Sequence, residues 1–266
     1  MDECEAVGAG ALDLSGNYRL AFGTYRLERV GHAPPPQARR ELENLYKGKT
    51  LRVVRALLAA PHRPWQVQEL AHTCGVSLGT VSGVRQKLLA QGWLDTQADG
   101  AVVSDSEGLL REWAEWTRPL SHVSISAYTV LSNRLVIDTL SRLHDPKLVL
   151  GGTSAGEWMA PFVTTRGVFL YADPDAWRTA ADLLKAEQVE KGGNLTIQFA
   201  DDGLFLDRME VKDGLWTASP AQTFVDLWRQ GNRGREGAEK LLQNYIKPIW
   251  EGQKPYVSWP LLEGKA

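Results

Sequence analysis

In Gly152-Thr153-Ser154-Ala155-Gly156 the chain spells G-x-S-x-G between an apolar run and a helical pattern. That is the setting in which a sharp strand-to-helix turn lifts a serine nucleophile above a sheet. Acyl transfer there would also need a histidine base and a carboxylate to orient it. The histidines are His32, His62, His72, His122 and His144, and none stands in the context of a triad base. His144, the nearest in sequence, falls at a predicted helix end. Asp202-Gly203 and Asp213-Gly214 offer partner aspartates, but no glycine-rich loop that could form an oxyanion hole precedes Ser154. A plainer use of the same residues is packing, because Gly151, Gly152, Ala155 and Gly156 permit a tight turn and close approach. The sequence holds no phosphate loop, no H-E-x-x-H and no paired carboxylates in a persuasive setting. Arg233-Gly234-Arg235-Glu236 reads as a polar turn before the last helix, a solvated cap with a contact surface as the alternative.

A second chemistry is written between Lys47 and Leu94. Lys47, Lys49, Arg52, Arg55, Arg63, Arg85 and Lys87 face a single acidic residue there, Glu69. The whole chain of 266 residues carries a formal net charge of −2, so it is no uniformly basic nucleic-acid binder, and contact with a polyanion must rest on this local patch. Residues 77 to 91, plotted at about 100° per residue, put Leu78, Val81, Val84, Leu88 and Leu89 on one arc, predicted to be buried. The opposite arc carries Gly79, Thr80, Ser82, Gly83, Gln86 and Lys87. Thr80, Ser82 and Gln86 can bond base edges or phosphates, Lys87 can neutralise a phosphate, and the glycines leave room for a groove. Ser77 is placed to cap this helix and present its N–H groups to a phosphate oxygen. Lys49 and Arg63 join the set as candidate phosphate contacts. Arg85 lies near the edge of the apolar arc, where its stem can run along apolar surface.

Elements that could hold such a helix are legible around it. Leu51, Val54, Leu57 and Leu58 recur at helical spacing until Pro61 and Pro64; a short helix from about Gln66 to Cys74 follows; Gly75-Val76-Ser77 is the turn. The next helix runs to Gly92, and two strands around an Asp99-Gly100 turn form a wing. Asp95, Asp99 and Asp105 suit that wing poorly to phosphates, which leaves Gln97 as its best contact. Leu109, Leu110, Trp113 and Trp116 mark an outgoing amphipathic helix. Beyond residue 118 strand and helix patterns alternate, which points to an α/β layer, and helices over Pro220 to Arg229 and Arg235 to Tyr245 close the chain. Before all of this, Leu12-Asp13-Leu14, Tyr18 to Phe22 and Tyr25 to Arg29 read as short strands joined through Ser15-Gly16-Asn17, and Gly31 to Pro36 as a stiff linker. The expected organisation is therefore a strand segment and linker over 1–46, a winged helix-turn-helix over 47–117 and a small α/β domain over 118–266, α+β overall. Ten tryptophans are dispersed along the chain, as core and interface packing would have it.

Cys4 and Cys74 are the only cysteines and suggest neither a disulfide framework nor a zinc site. The acidic amino terminus is no export signal, and no run is apolar for the length of a membrane span, so a cytoplasmic location is expected. One winged helix reads only a short half-site, which makes a homodimer the expected state. The expectation from the residues is a protein that binds double-stranded DNA, with neither enzymatic activity nor cofactor; the alternatives are an interaction or adaptor protein, or a serine hydrolase using Ser154.

On particular motifs the sequence also resembles known families. The G-x-S-x-G stretch is similar to the nucleophile motif of patatin-like lipases, although about 150 residues leave little room for that fold. The broader resemblance is to the AbiEi family of type IV toxin-antitoxin antitoxins. It is carried by Leu12-Asp13-Leu14-Ser15-Gly16-Asn17, by Pro64-Trp65-Gln66-Val67-Gln68-Glu69-Leu70-Ala71 with Gly75 to Ser82, by Gly151 to Gly156, by Ala218 to Leu227, and by Gly231 to Glu239. Arg85 departs from the buried leucine usual in such helices, and the region that precedes the L-D-L-x-G-N segment in longer members is short here. The resemblance implies a winged-helix repressor of its own operon, a nucleotidyltransferase-type toxin as functional partner, and Ser154 as a packing residue.

Overall fold

Leu51, Val54, Leu57 and Leu58 recur at helical spacing, and the structure, a computed structural model, places them on helix α1 (Gly48–Ala59). It describes residues 10–12, 17–22, 24–30, 44–116, 124–160, 167–200, 202–212 and 214–253. Asp13 to Gly16, the Gly31 to Pro36 linker, Cys4, His32, His122 and Asp213 lie outside the described residues. Residue contacts divide the chain into Met1–Leu45 and Tyr46–Ala266. In the first unit β1 (Ala11–Leu12), β2 (Tyr18–Phe22) and β3 (Tyr25–Arg29) pair antiparallel in the order β1-β2-β3, with Arg19 and Glu28 bonded across the sheet at 2.8 Å.

In the second unit, α1 is followed by α2 (Val67–Cys74) and α3 (Leu78–Ala90). Val53 through Leu58 are all buried. A helix enclosed on every side must be packed on every side. On one side α1 meets α2 and α3; on others it meets later elements of the chain, so the helices before residue 117 and the layers after it share one contiguous interior.

The hairpin β4 (Leu94–Gln97) and β5 (Gly100–Val103) turns at Ala98-Asp99, one residue earlier than the sequence suggested, because Gln97 pairs with Gly100. Gly100 is needed for close approach: a Cβ there would come within 2.6 Å of the Trp65 backbone, which pairs with Ala101 through N–H donors at 2.9 and 3.0 Å. Helix α4 (Ser106–Trp116) buries Leu109, Leu110 and Trp113.

The remaining chain is mixed α/β. Among the described residues, a seven-stranded sheet has the order β11-β12-β7-β8-β10-β6-β9, from β6 (Ser124–Tyr128), β7 (Leu148–Leu150), β8 (Val168–Ala172), β9 (Glu187–Gln188), β10 (Leu195–Phe199), β11 (Arg208–Lys212) and β12 (Leu215–Ala218). Its connecting helices are α5 (Asn133–Leu143), α6 (Gly152–Met159), α7 (Pro174–Leu184) and the short α8 (Asp202–Leu206). The alternation of strands and helices suggested an α/β layer, and the sheet is mixed: β8 runs parallel to β10 and β12 parallel to β7, the other neighbours antiparallel. β7 is buried at every position, as a continuous apolar run in a central strand requires. Strands β11 and β12 complete the sheet; Arg208-Met209-Glu210-Val211-Lys212 carries the alternation of an edge strand, with Met209 fully buried. Val149, Tyr171, Leu204, Phe205 and Ala218 form one core cluster. Helices α9 (Pro220–Trp228) and α10 (Asn232–Leu241) follow, and a π-helical turn over Leu242–Ile246 leads to α11 (Lys247–Trp250).

Candidate nucleic-acid interface

The turn before α3 is closed locally. Gly75 takes the left-handed conformation, φ 60°, and its N–H and that of Val76 donate to the His72 and Ala71 carbonyls at 3.2 and 3.0 Å, which satisfies the last orphan acceptors of α2. Ser77 then caps α3, accepting the Thr80 N–H at 3.2 Å, while the two hydroxyls lie 2.9 Å apart. The sequence expected Ser77 and Thr80 as contacts; the structure engages both first in starting the helix.

Helix α3 buries Val81, Val84 and Leu88 against α1 and α2. Leu78 and Leu89, expected on the buried arc, are 51% and 38% exposed. The correction has a geometric cause: the centre of the buried arc lies between Val84 and Leu88, and Leu78 and Leu89 fall about 100° and about 120° away from it. Gly79, Ser82 and Gln86 are exposed, and Thr80, Gly83 and Lys87 half-buried. Ser82, Gln86 and Lys87 make no side-chain hydrogen bond or ion pair among the described residues.

The cations around this face divide by partner. Lys49 stands exposed on α1. Arg52, a member of the basic patch but not among the candidate contacts, comes to the turn: a Cβ on Gly75 would meet its Nη1 at 3.9 Å. Arg63 is ion-paired with Glu69 and stacks over Trp65 with its guanidinium carbon 4.4 Å from the ring centroid, so its charge is already engaged. Arg85 is half-buried, its Nε enclosed without a hydrogen-bond partner. Gln97 is exposed at the hairpin beside exposed Asp95 and Asp99, and Asp105 accepts the Gly108 N–H at 2.8 Å at the start of α4. Cys74 is fully buried with its thiol pushed up to about 12, by burial first, then by the Asp207 charge, against the opposing pull of Arg52.

Beneath these helices runs a buried polar chain. Arg55 is 6% exposed; its guanidinium donates to Gln222 Oε1 and, at 3.2 Å, to the Gly203 carbonyl, lies 3.7 Å from Asp207 and sits over the Trp113 ring. Ser219 donates to Asp207 at 2.6 Å. Gln222 Nε2 in turn donates to Asp226 at 2.6 Å, where Tyr171 OH (2.7 Å) and the Gly152 N–H (3.0 Å) also donate. Burial raises the Asp226 carboxyl above its usual range, opposed by those three donors and by nearby Arg229, and burial pushes the Tyr171 hydroxyl up strongly, with the Asp226 charge adding to it. An arginine inside the run Val53-Val54-Arg55-Ala56-Leu57-Leu58 is the signal that could have revealed a buried acceptor set.

The G-x-S-x-G turn lies at the far end of that chain. Ser154 is 4% exposed and its Oγ accepts the Phe169 N–H at 2.9 Å. A Cβ at Gly151 would stand 2.4 Å from the Tyr171 ring, and one at Gly156 would stand 3.2 Å from Leu227. His144 sits at the left-handed end of α5 against Gly214.

Among the described residues no group of His, Cys, Asp or Glu side chains is placed to hold a metal ion, and no helix is long and apolar enough to cross a membrane. No protein-family model, no curated protein and no solved structure matches the chain.

Proposed function

We propose that this protein is a DNA-binding transcriptional regulator in which α1, α2, α3 and the β4–β5 hairpin act as a winged helix-turn-helix, with α3 entering the major groove. The observation that carries the reading is the partner-free face of α3: Ser82, Gln86 and Lys87 have no side-chain partner among the described residues, and Lys49 and Arg52 stand on the helix beside it with no acidic partner among the described residues. A surface that presents hydrogen-bonding groups without using them, flanked by cations, suits a polyanion whose groove edges supply the missing partners. Resemblance to the AbiEi antitoxins supplies the biological setting, repression of the protein's own operon with a nucleotidyltransferase-type toxin as functional partner; the short half-site read by one winged helix supports action as a homodimer, in the cytoplasm.

The test is titration of a labelled duplex from the protein's own promoter at several salt concentrations, followed by footprinting. Salt-dependent binding with a protected site is the expected result; absence of binding at low salt removes the DNA reading. A nucleotidyltransferase gene beside this one supports the antitoxin setting, and a different neighbourhood leaves a general regulator.

A second reading, an interaction protein without DNA contact, draws on the open groove of about 480 Å³ between α5 and α6, lined by Asn133, Arg134, Ile137, Asp138, Glu157 and Trp158. Trp158 is 42% exposed there. Loss of DNA binding together with capture of a partner that Trp158→Ala abolishes would favour that reading.

A further inference from the structure

Two features of α3 are not required by the fold. Gly83 is an interior helix position, where glycine costs about 1 kcal/mol relative to alanine, and Gly79 stands in the first turn, the second residue of the helix. A Cβ at Gly83 would meet nothing within 4 Å, and one at Gly79 would meet only Ser77 Oγ, at 3.9 Å. Neither glycine is explained by a neighbour among the described residues, nor by a positive φ. The missing side chains instead let the α3 backbone approach something outside it.

The chemistry of the same face specifies what that something carries. Leu78, Ser82 and Gln86 follow at four-residue intervals, about 6 Å apart along the axis. Arginine, the donor pair that suits guanine O6 and N7, is absent from the exposed arc of α3, since Arg85 is half-buried with its Nε enclosed. Lys87, the other cation that suits guanine, is half-buried at the edge of the arc about 100° from Gln86, where it suits a phosphate. The carboxylate that would accept from cytosine N4 is absent as well. The long polar group at the centre of the arc is the Gln86 amide, whose paired donor and acceptor match adenine N6 and N7. Leu78, exposed at 51%, offers the apolar contact that the thymine methyl takes.

We infer that α3 is built for a half-site of A·T pairs, with Gln86 on an adenine, Leu78 on a thymine methyl about two helical turns away, and Gly79 and Gly83 setting the depth of insertion. The inference rests on the DNA-binding reading above and adds the class of sequence read.

Selection of duplexes from a randomised pool with the full chain, at one fixed salt concentration, tests it. The expected result is an enriched motif with A·T pairs at its most selected positions. Gln86→Ala should lower discrimination at one position by about 5- to 100-fold, and Gln86→Arg should move that position toward guanine. Gly83→Ala should leave the thermal midpoint equal or higher while weakening binding to the selected site, a combination that a purely structural glycine would not give. Enrichment of G·C pairs, a flat pool, or a Gln86→Ala variant with unchanged preference overturns the inference while leaving DNA binding in place. Failure to bind any duplex at low salt overturns both readings.

Discussion

Arg55, on the first helix of the proposed DNA-reading unit, donates to the side-chain oxygen of Gln222, which lies 167 positions further along the chain. Gln222 hands the connection on to Asp226, and Asp226 holds the turn at Gly152 and the Tyr171 hydroxyl. A charge this deep is tolerated because its two terminal nitrogens donate to Gln222 and to the Gly203 carbonyl, and the Asp207 carboxylate lies 3.7 Å away, although Nε has no hydrogen-bond partner among the described residues.

Arg55→Ala should therefore destabilise the whole of residues 46 to 266, by about 3–5 kcal/mol, since removal of one member leaves Asp207 buried without its cation. Urea denaturation followed by tryptophan fluorescence measures it. One cooperative transition moved to lower urea is expected; an early loss confined to the sheet or to the helices would refute the shared interior.

Asp226 makes stability depend on pH. Burial raises its carboxyl in the folded state, so the unfolded chain loses this proton first. Its contribution is fully present below the ordinary carboxylate value of about 4 and declines as pH rises through the raised folded value. Stability of the wild type relative to Asp226→Asn should accordingly be greatest in acid and shrink toward neutrality. A difference that stays flat with pH, in denaturation curves taken across that range, contradicts the burial argument.

Ser154→Ala should cost about 1–3 kcal/mol, because the Phe169 N–H loses its acceptor inside the protein. Duplex affinity should be unchanged in the folded variant, and a fluorophosphonate should fail to label Ser154 in the wild type. Stoichiometric labelling would revive the hydrolase reading.

Lys87→Ala should reduce the slope of log affinity against log salt by about 0.9, the counterion equivalent of one phosphate contact. Arg63→Ala should change the slope less, because Glu69 already neutralises that guanidinium. Equal slopes for all three proteins would remove Lys87 from the interface.

Elements with a strong period were legible in the sequence. The 3.6-residue spacing of Leu51, Val54, Leu57 and Leu58 and the glycine turn at Gly75 placed the helices, and Ser77 as cap followed from its type. Periodicity was less informative about what lies outside a helix. Leu78 and Leu89 are apolar yet exposed, since a hydrophobic letter does not state which neighbour covers it. The acceptors for Arg55 lie far along the chain, so only the oddity of a charge within an apolar run was visible. β11 and β12 are short, and their alternation competes with the polar letters between them. The pairing of Arg63, a candidate phosphate contact, with Glu69 depends on the path of the chain through Trp65, which its letters do not show.

Trp250 Nε1 donates to the Leu58 carbonyl at 2.8 Å, so α1 is gripped near its end by α11 as well as through Arg55. For protein engineering this sets a boundary. A graft limited to the first helices and their hairpin would carry Arg55 to a new host without its acceptors and leave the Leu58 carbonyl uncovered. A transplantable cassette of the proposed DNA-reading unit has to include α8 through Asp207, α9 and α11, or replace Arg55 with an apolar residue of similar volume.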